Sequence, residues 1–307
     1  MRVPEDPLHP PAPRQFVTLR DRIVYLRSLE DFNGVPMESI AFMAQLMEEE
    51  RVPAETVLVA KGKPITRSYF HDEGKVGLYK DGERVGELVP PQAVAAIGVL
   101  ARIDGPPGDI VVEEDALLLC IDASTLHRAL EADFGLLSNT LRSITRLILD
   151  VRRGLPFDPA NMPPADSGSY PERPLDFVDR LEFAASNNAP TSMEAMGEMA
   201  RRQQEVRIPK GDLVWELGDH ADHYITVFAG LLEVENGWGR GTIGRGYTLG
   251  FFDCIAEVPR GYRARAATDM VLLRGESSAL WDVLEDQFEL AQNIVAMQAA
   301  VAVDHLW

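Results

Sequence analysis

The feature that most constrains this chain is that its sequence runs through one pattern twice. Residues 52–79 read VPAETVLVAKGKPITRSYFHDEGKVGLY, and residues 207–234 read RIPKGDLVWELGDHADHYITVFAGLLEV. Gly62 and Gly218 lie 218 − 62 = 156 positions apart, Gly74 and Gly230 lie 230 − 74 = 156 apart, and Asp115 and Asp269 lie 269 − 115 = 154 apart. An offset this large and this steady exceeds the roughly 20–50-residue period of solenoids and means two copies of one domain. A length of 307 residues fits, at about 150 residues per domain. Differences between the copies then carry information about function.

Each copy has the order helix, many short strands, helix. In the first, residues 24–52 carry helical spacing at Ile40, Met43, Leu46 and Met47, and Pro53 is expected to stop that helix. From Thr56 to Ile121 short apolar runs alternate with turn residues at Gly62–Pro64, Asp72–Gly74, Asp81–Gly82, Pro90–Pro91 and Gly105–Gly108. That punctuation predicts a small antiparallel sandwich or barrel. After Asp122, Leu137, Leu141, Ile144 and Ile148 form an apolar stripe at helical spacing. In the second copy, residues 278–307 read as one long helix whose wide apolar face includes Leu280, Leu284, Phe288, Ala291, Ile294, Val295 and Ala302, interrupted by Gln298. Such a face packs internally or forms a homodimer seam. The expected organisation is an extended, disordered arm (1–15), a first domain (16–153), a Pro-rich linker (154–174) without a core of its own, and a second domain (175–307).

Composition narrows the function classes. With 48 acidic and 30 basic residues the formal charge is −18, and no Lys/Arg run exceeds the pairs Arg152–Arg153 and Arg201–Arg202. Nucleic-acid backbones and anionic membranes demand clustered positive charge, so neither is an expected partner. No apolar run approaches the roughly 20 residues needed to span a bilayer. The two cysteines, Cys120 and Cys254, sit at non-equivalent places in the copies, which speaks against a disulfide framework and for a reducing, cytoplasmic setting.

The stretch PKGDLVWELGDHADHYITVFAGLLEV, with Gly211, Gly218, Asp219, Tyr224 and Gly230 in register, resembles the cyclic nucleotide-binding domain. Gly62, Tyr69 and Gly74 keep that register more loosely in the first copy. The resemblance implies a mainly β, α+β fold: two tandem β-rolls of the double-stranded β-helix or jelly-roll kind, each flanked by helices. It also implies a pocket cassette of the form Phe-Gly-Glu, a short helix, then Pro-Arg. In that cassette the Arg and the helix amides hold a cyclic phosphate and the Glu accepts the ribose hydroxyl.

In LGFFDCIAEVPRGYRARAATD (249–269), Gly250 falls on the family glycine and Pro259–Arg260 on the Pro-Arg pair. Phe251 stands in place of the Glu, and Asp253 could substitute only if the short helix were rotated. Gly250, Phe251, Asp253 and Arg260 are therefore the candidate ligand residues, with Arg263 as an accessory and cAMP or cGMP as the ligand implied. A surface Arg260 paired with Glu257 or Asp269 is the alternative. In the first copy an offset of 154 places Ile97 at the Glu position and Pro106 at the Arg position, and the apolar run 93–100 predicts a filled, dry pocket. No catalytic residues, metal or cofactor are implied, and no helix-turn-helix or enzyme region accompanies the copies, so output is expected through a protein partner. A ligand-independent adaptor with vestigial pockets is the rival reading. A third is a cupin-like metalloprotein using Asp219, His220, Asp222 and His223, whose His-x-x-His spacing departs from the cupin His-x-His. Trp215, Trp238 and Trp281 read as core or interface anchors, and Trp307 could lid a pocket.

Overall fold

The computed structural model describes residues 18–103, 105–157, 164–187 and 192–306, with side chains to 303 at the C-terminal end. The 1–15 arm and the Trp307 lid lie outside these. The chain forms two compact units, divided between Leu136 and Leu137.

The first unit opens with α1 (Leu19–Ser28), started by a capping box in which Thr18 and Asp21 satisfy each other's backbone amides. Then follow α2 (Met37–Leu46), β1 (Glu48–Val52), β2 (Val57–Val59), β3 (Arg67–Lys80), β4 (Glu83–Leu88), β5 (Gln92–Val94), α3 (Ala96–Ala101), β6 (Asp109–Asp122) and α4 (Ala123–Ala132). The strands form one six-stranded antiparallel sheet built on β3 and β6, each 14 residues long. Its core holds Val59, Val76, Val94, Ile110, Val112 and Leu118.

The helix expected to run to residue 52 ends at Leu46. The charged stretch Glu48–Val52 is a strand, paired antiparallel with Ala116–Cys120. A cross-strand partner far along the chain decides this segment, overriding the helix preference of its glutamates.

α5 (Phe134–Val151) follows, its first turn capped by Asp133, whose carboxylate accepts the Leu136 amide at 3.1 Å. Nearly all of α5 belongs to the second unit. There the expected stripe of Leu137, Leu141, Ile144 and Ile148 is buried. The second unit continues with α6 (Phe177–Asn187), α7 (Met193–Arg202), β7 (Gln204–Ile208), β8 (Leu213–Trp215), β9 (His223–Ala229), β10 (Leu232–Asn236), β11 (Gly239–Ile243), β12 (Thr248–Leu249), α8 (Phe251–Ala256), β13 (Arg263–Ala266), β14 (Met270–Glu276), α9 (Ser277–Asp286) and α10 (Phe288–Leu306). Two four-stranded sheets, ordered β11-β10-β13-β8 and β12-β9-β14-β7, enclose a core that includes Trp215, Val227, Val234, Ile243, Tyr262 and Leu272.

The element order repeats between the units. β1 and β7 start 204 − 48 = 156 residues apart, and β6 and β13 start 263 − 109 = 154 apart. Loop hydrogen bonds repeat as well. The amide of Glu55 bonds the carbonyl of Val112 and that of Gly211 the carbonyl of Ala266, at 2.7 and 2.8 Å. Ala54 and Lys210 each donate a backbone amide to an aspartate, Asp115 and Asp269, at 2.9 and 2.8 Å. Gly74 and Gly230 both have positive φ, and a Cβ on either would strike the carbonyl oxygen of Asp115 or Asp269. Glycine is required there twice over.

Two expectations about the second copy change. Its terminal stretch is two helices, broken at Gln287. The apolar side of α10 is buried within the chain, at Ala291, Val295, Ala299 and Ala302, and Gln298 accepts the Thr145 hydroxyl of α5 at 2.8 Å. That face is therefore not free to serve as a homodimer seam. The described residues of the 154–174 segment (154–157 and 164–174) are docked rather than free-standing. Leu155 and Phe157 enter the second core, and the carbonyls of Asp166 and Ser167 accept the amides of Arg245 and Gly230. No described helix is long and apolar enough to cross a membrane.

Candidate functional site

The candidate residues converge where β12 hands over to α8 and the chain returns to β13. Gly250 caps α8 at φ +75° in the left-handed region, and Glu257 ends it at φ +55°. A Cβ on Gly250 would lie 2.4 Å from Nη1 of Arg260. The glycine thus supplies both the turn and the room for a guanidinium to approach the backbone.

Arg260 is not a surface residue. Its side chain is 0% exposed and that of Asp253 is 2% exposed, and the two face each other at 3.4 Å from Nη1 to Oδ2. Nη1 also donates to the Gly250 carbonyl at 3.2 Å, Nη2 donates to the His223 carbonyl, and the guanidinium lies 4.1 Å from the centre of the Trp215 ring. Its backbone is fixed on both sides: the Gly218 amide donates to the Arg260 carbonyl at 2.9 Å, and the Arg260 amide donates to Asp219 at 2.8 Å. Neither Glu257 nor Asp269 is its partner. Glu257 pairs with Arg142, and Asp269 takes the Lys210 amide.

Tyr262 completes the network. Its hydroxyl donates to Asp253 Oδ2 at 3.0 Å and accepts the Gly250 amide at 3.0 Å. Burial raises the Asp253 carboxyl pKa, while Arg260, Tyr262 and the Gly261 amide pull it back down. Burial also raises the Tyr262 hydroxyl well above its ordinary value, and the Cys254 thiol to about 11. Cys254 is a buried, inert thiol in this setting. Two buried polar atoms of the pair, Arg260 Nε and Asp253 Oδ1, make no hydrogen bond of normal geometry.

The other candidates sit apart from this pair. Phe251 packs edge-on against Tyr224, with ring centres 5.9 Å apart. Arg263 points to the surface carboxylates Glu216 and Glu235, at 2.6 and 3.3 Å. His223 Nδ1 meets Asp222 Oδ1 at 2.5 Å, and burial lowers its imidazole pKa in spite of that carboxylate. Among the described residues no three His, Cys, Asp or Glu side chains gather as metal ligands. A shallow depression lined by Glu233, Val234, Glu235, Arg240, Gly241 and Thr242 lies on the β10–β11 hairpin and does not contain Arg260.

Sequence reasoning missed Tyr262 and the stacking role of Trp215. An aromatic two places after Arg260 on a strand approach was the available signal for the first, since alternate strand residues share a face. It also missed a clamp from α5. Arg146 Nε donates to the Ala256 carbonyl at the C-terminal end of α8 at 3.0 Å, and Arg142 bonds Glu257 and lies 4.4 Å from the Trp281 ring centre. Cations at a helix C-terminus are favourably placed for its dipole.

In the first unit the corresponding place is apolar. α3 is capped by Ala95 at φ +64° and ended by Arg102 at φ +52°, matching Gly250 and Glu257 at 250 − 95 = 155 and 257 − 102 = 155. This register puts Ala96, not Ile97, opposite Phe251, and Gly98 opposite Asp253. The Gly62 amide bonds the Pro106 carbonyl at 3.0 Å, as the Gly218 amide bonds that of Arg260, so Pro106 does stand at the arginine position. In the same stretch of chain Val94, Val99 and Leu100 are buried.

No family model and no curated protein matches the sequence. Similar solved structures include the regulatory domain of Toxoplasma gondii PKA with cAMP (14% identity, covering 94% of this chain and 98% of that one, TM-score 0.36). Others are the regulatory subunit of a cAMP-independent protein kinase A from Trypanosoma brucei (14%, 92% and 87%, TM-score 0.38) and a cyclic nucleotide-binding domain from Methylobacillus flagellatus (20%, 41% and 76%, TM-score 0.35). The architecture itself is mainly β: antiparallel sheets, with a short helix between left-handed caps and helices on either side.

Proposed function

We propose that this chain is a non-catalytic regulatory protein of the cyclic-nucleotide-binding type that acts through a protein partner, and that the anion position of its second unit is filled by its own Asp253. The observation that carries this reading is the enclosure of the Arg260–Asp253 pair, whose side chains are 0% and 2% exposed. A cyclic phosphate reaching Arg260 must displace a buried carboxylate that already neutralises it, and stripping a buried charge of its partner is costly. Phe251, at the sugar-binding position, offers no acceptor to a ribose hydroxyl. The first unit, with Pro106 where the arginine would be, has no cation to offer. Both rolls then act as rigid platforms rather than ligand-gated sensors.

The test is thermal melting of the purified chain with cAMP and cGMP, followed by Trp emission, which reports the second unit through the buried Trp215. Ligand present at a hundred times its Kd stabilises a protein by about 2.7 kcal/mol. The expected result is no shift with either nucleotide at millimolar concentration. A saturable rise that disappears in Arg260→Leu would sink the proposal and restore a nucleotide-sensing role. Affinity capture from the native host then identifies the partner.

A further inference from the structure

The geometry points to Asp253 as the resident anion of Arg260. We propose that this carboxylate occupies a preformed seat for a small carboxylate or oxyanion, which truncating Asp253 opens to a free anion of formate size. The inference rests on the reading that the second roll is filled from within.

Three observations support a seat that exists independently of its present occupant. First, Arg260 is held by groups other than Asp253: the Gly250 and His223 carbonyls, the face of Trp215, and backbone bonds to Gly218 and Asp219. The guanidinium therefore stays in place when the carboxylate is removed. Second, the Tyr262 hydroxyl is oriented by the Gly250 amide at 3.0 Å, which leaves its proton aimed at the position of Oδ2. A guanidinium and a hydroxyl thus converge on one oxygen site. Third, the present occupant fits loosely. The Nη1–Oδ2 distance of 3.4 Å is long for a charge-assisted bond, for which about 2.7–2.9 Å is usual, and Nε of Arg260 meets no acceptor. Asp253 is tethered to a six-residue helix. A free anion carries no such tether.

Charge gives the ligand its class. Asp253→Ala leaves a buried, unpaired arginine, an arrangement far less stable than either the pair or a fully apolar site. Formate restores the deleted carboxylate nearly atom for atom. Inorganic phosphate carries the same kind of oxygens in a larger body, and cAMP is much larger than the space one carboxylate vacates.

The experiment compares melting of the wild type, Asp253→Ala and Asp253→Ser in sodium chloride, sodium formate, sodium phosphate and cAMP at matched ionic strength. The serine variant keeps a hydroxyl for Tyr262, so the measurement survives if the alanine variant folds poorly. In the expected result, formate raises the melting temperature of at least one variant saturably, by about 5 °C or more over chloride. The wild type does not respond, cAMP has no effect, and the response is lost when Arg260→Leu is added. Equal formate shifts in wild type and variants, a folded variant with no saturable response, or failure of both variants to fold in any of the anions would each overturn the inference. Stabilisation of the wild type by cAMP instead overturns the filled-seat reading beneath it, so the two failures are told apart.

Discussion

The two units answer the same structural question in opposite ways. Where α8 meets β13, the second unit buries an arginine, an aspartate and a tyrosine and stacks the arginine on a tryptophan. At the matching places the first unit has Pro106, Gly98, Gly108 and Val59, none of them charged, and Val59 belongs to the apolar core. The backbone is shared, down to the left-handed caps of the short helix and the glycine amide bonded to the residue-106 or residue-260 carbonyl. The roll therefore does not need a charge at this position. It tolerates one only when the charge is paired, and the internal partner in the second unit is what makes Arg260 compatible with complete burial.

The sharpest way to break this comparison is to remove the arginine. Arg260→Leu strands the Asp253 carboxylate and should cost roughly 3–5 kcal/mol, whereas Pro106→Ala in the first unit should cost only about 0.4–1 kcal/mol through unfolded-chain entropy. Urea unfolding reads both, with Trp emission for the second unit and far-UV circular dichroism for the whole chain. An Arg260→Leu variant as stable as Pro106→Ala contradicts the buried-pair account.

A smaller effect separates the helix caps. Gly250→Ala places a Cβ against Arg260 Nη1 at a positive φ and should lose about 2 kcal/mol, given the roughly 1–2 kcal/mol left-handed penalty for a side chain. Ala95→Gly relieves the same backbone penalty and should stay within about 1 kcal/mol of the parent. Equal losses at both positions would mean that the caps are not equivalent.

The smallest effect is a pH response. Burial lowers the His71 imidazole below its ordinary value in the first unit and that of His223 in the second. A histidine held neutral by the fold contributes stability that is complete above its unfolded pKa of about 6.5 and drains away as pH falls below it, by at most about 1.4 kcal/mol per pH unit per group. His71→Gln and His223→Gln should each flatten the acid slope, and a variant whose acid slope matches the parent's contradicts a histidine held neutral by burial. Melting temperatures between pH 7 and pH 5 check both.

Much of the fold was legible because its signals are local. Glycines that must take positive φ keep their spacing whatever surrounds them, so Gly62, Gly74, Gly218 and Gly230 marked the register, and Pro106 against Arg260 marked the difference between the rolls. Segments decided by distant partners were not legible. Glu48–Val52 looks helical until Ala116–Cys120 lies beside it, and the one-residue shift from Ile97 to Ala96 depends on where α3 begins in space. The break at Gln287 leaves no glycine or proline to announce it.

The sequence by itself determined that one pattern occurs twice, that it is mainly β, and that the later copy carries Arg260 where the earlier has Pro106, because each rests on residue identity and spacing along the chain. Only the tertiary structure decided what that arginine does. Its partner lies across a turn and a six-residue helix, and whether Asp253 points inward or outward depends on how that helix is rotated against β13. That rotation is fixed by the packing of Tyr262, Trp215 and the α5 clamp, none of which spacing along the chain can specify.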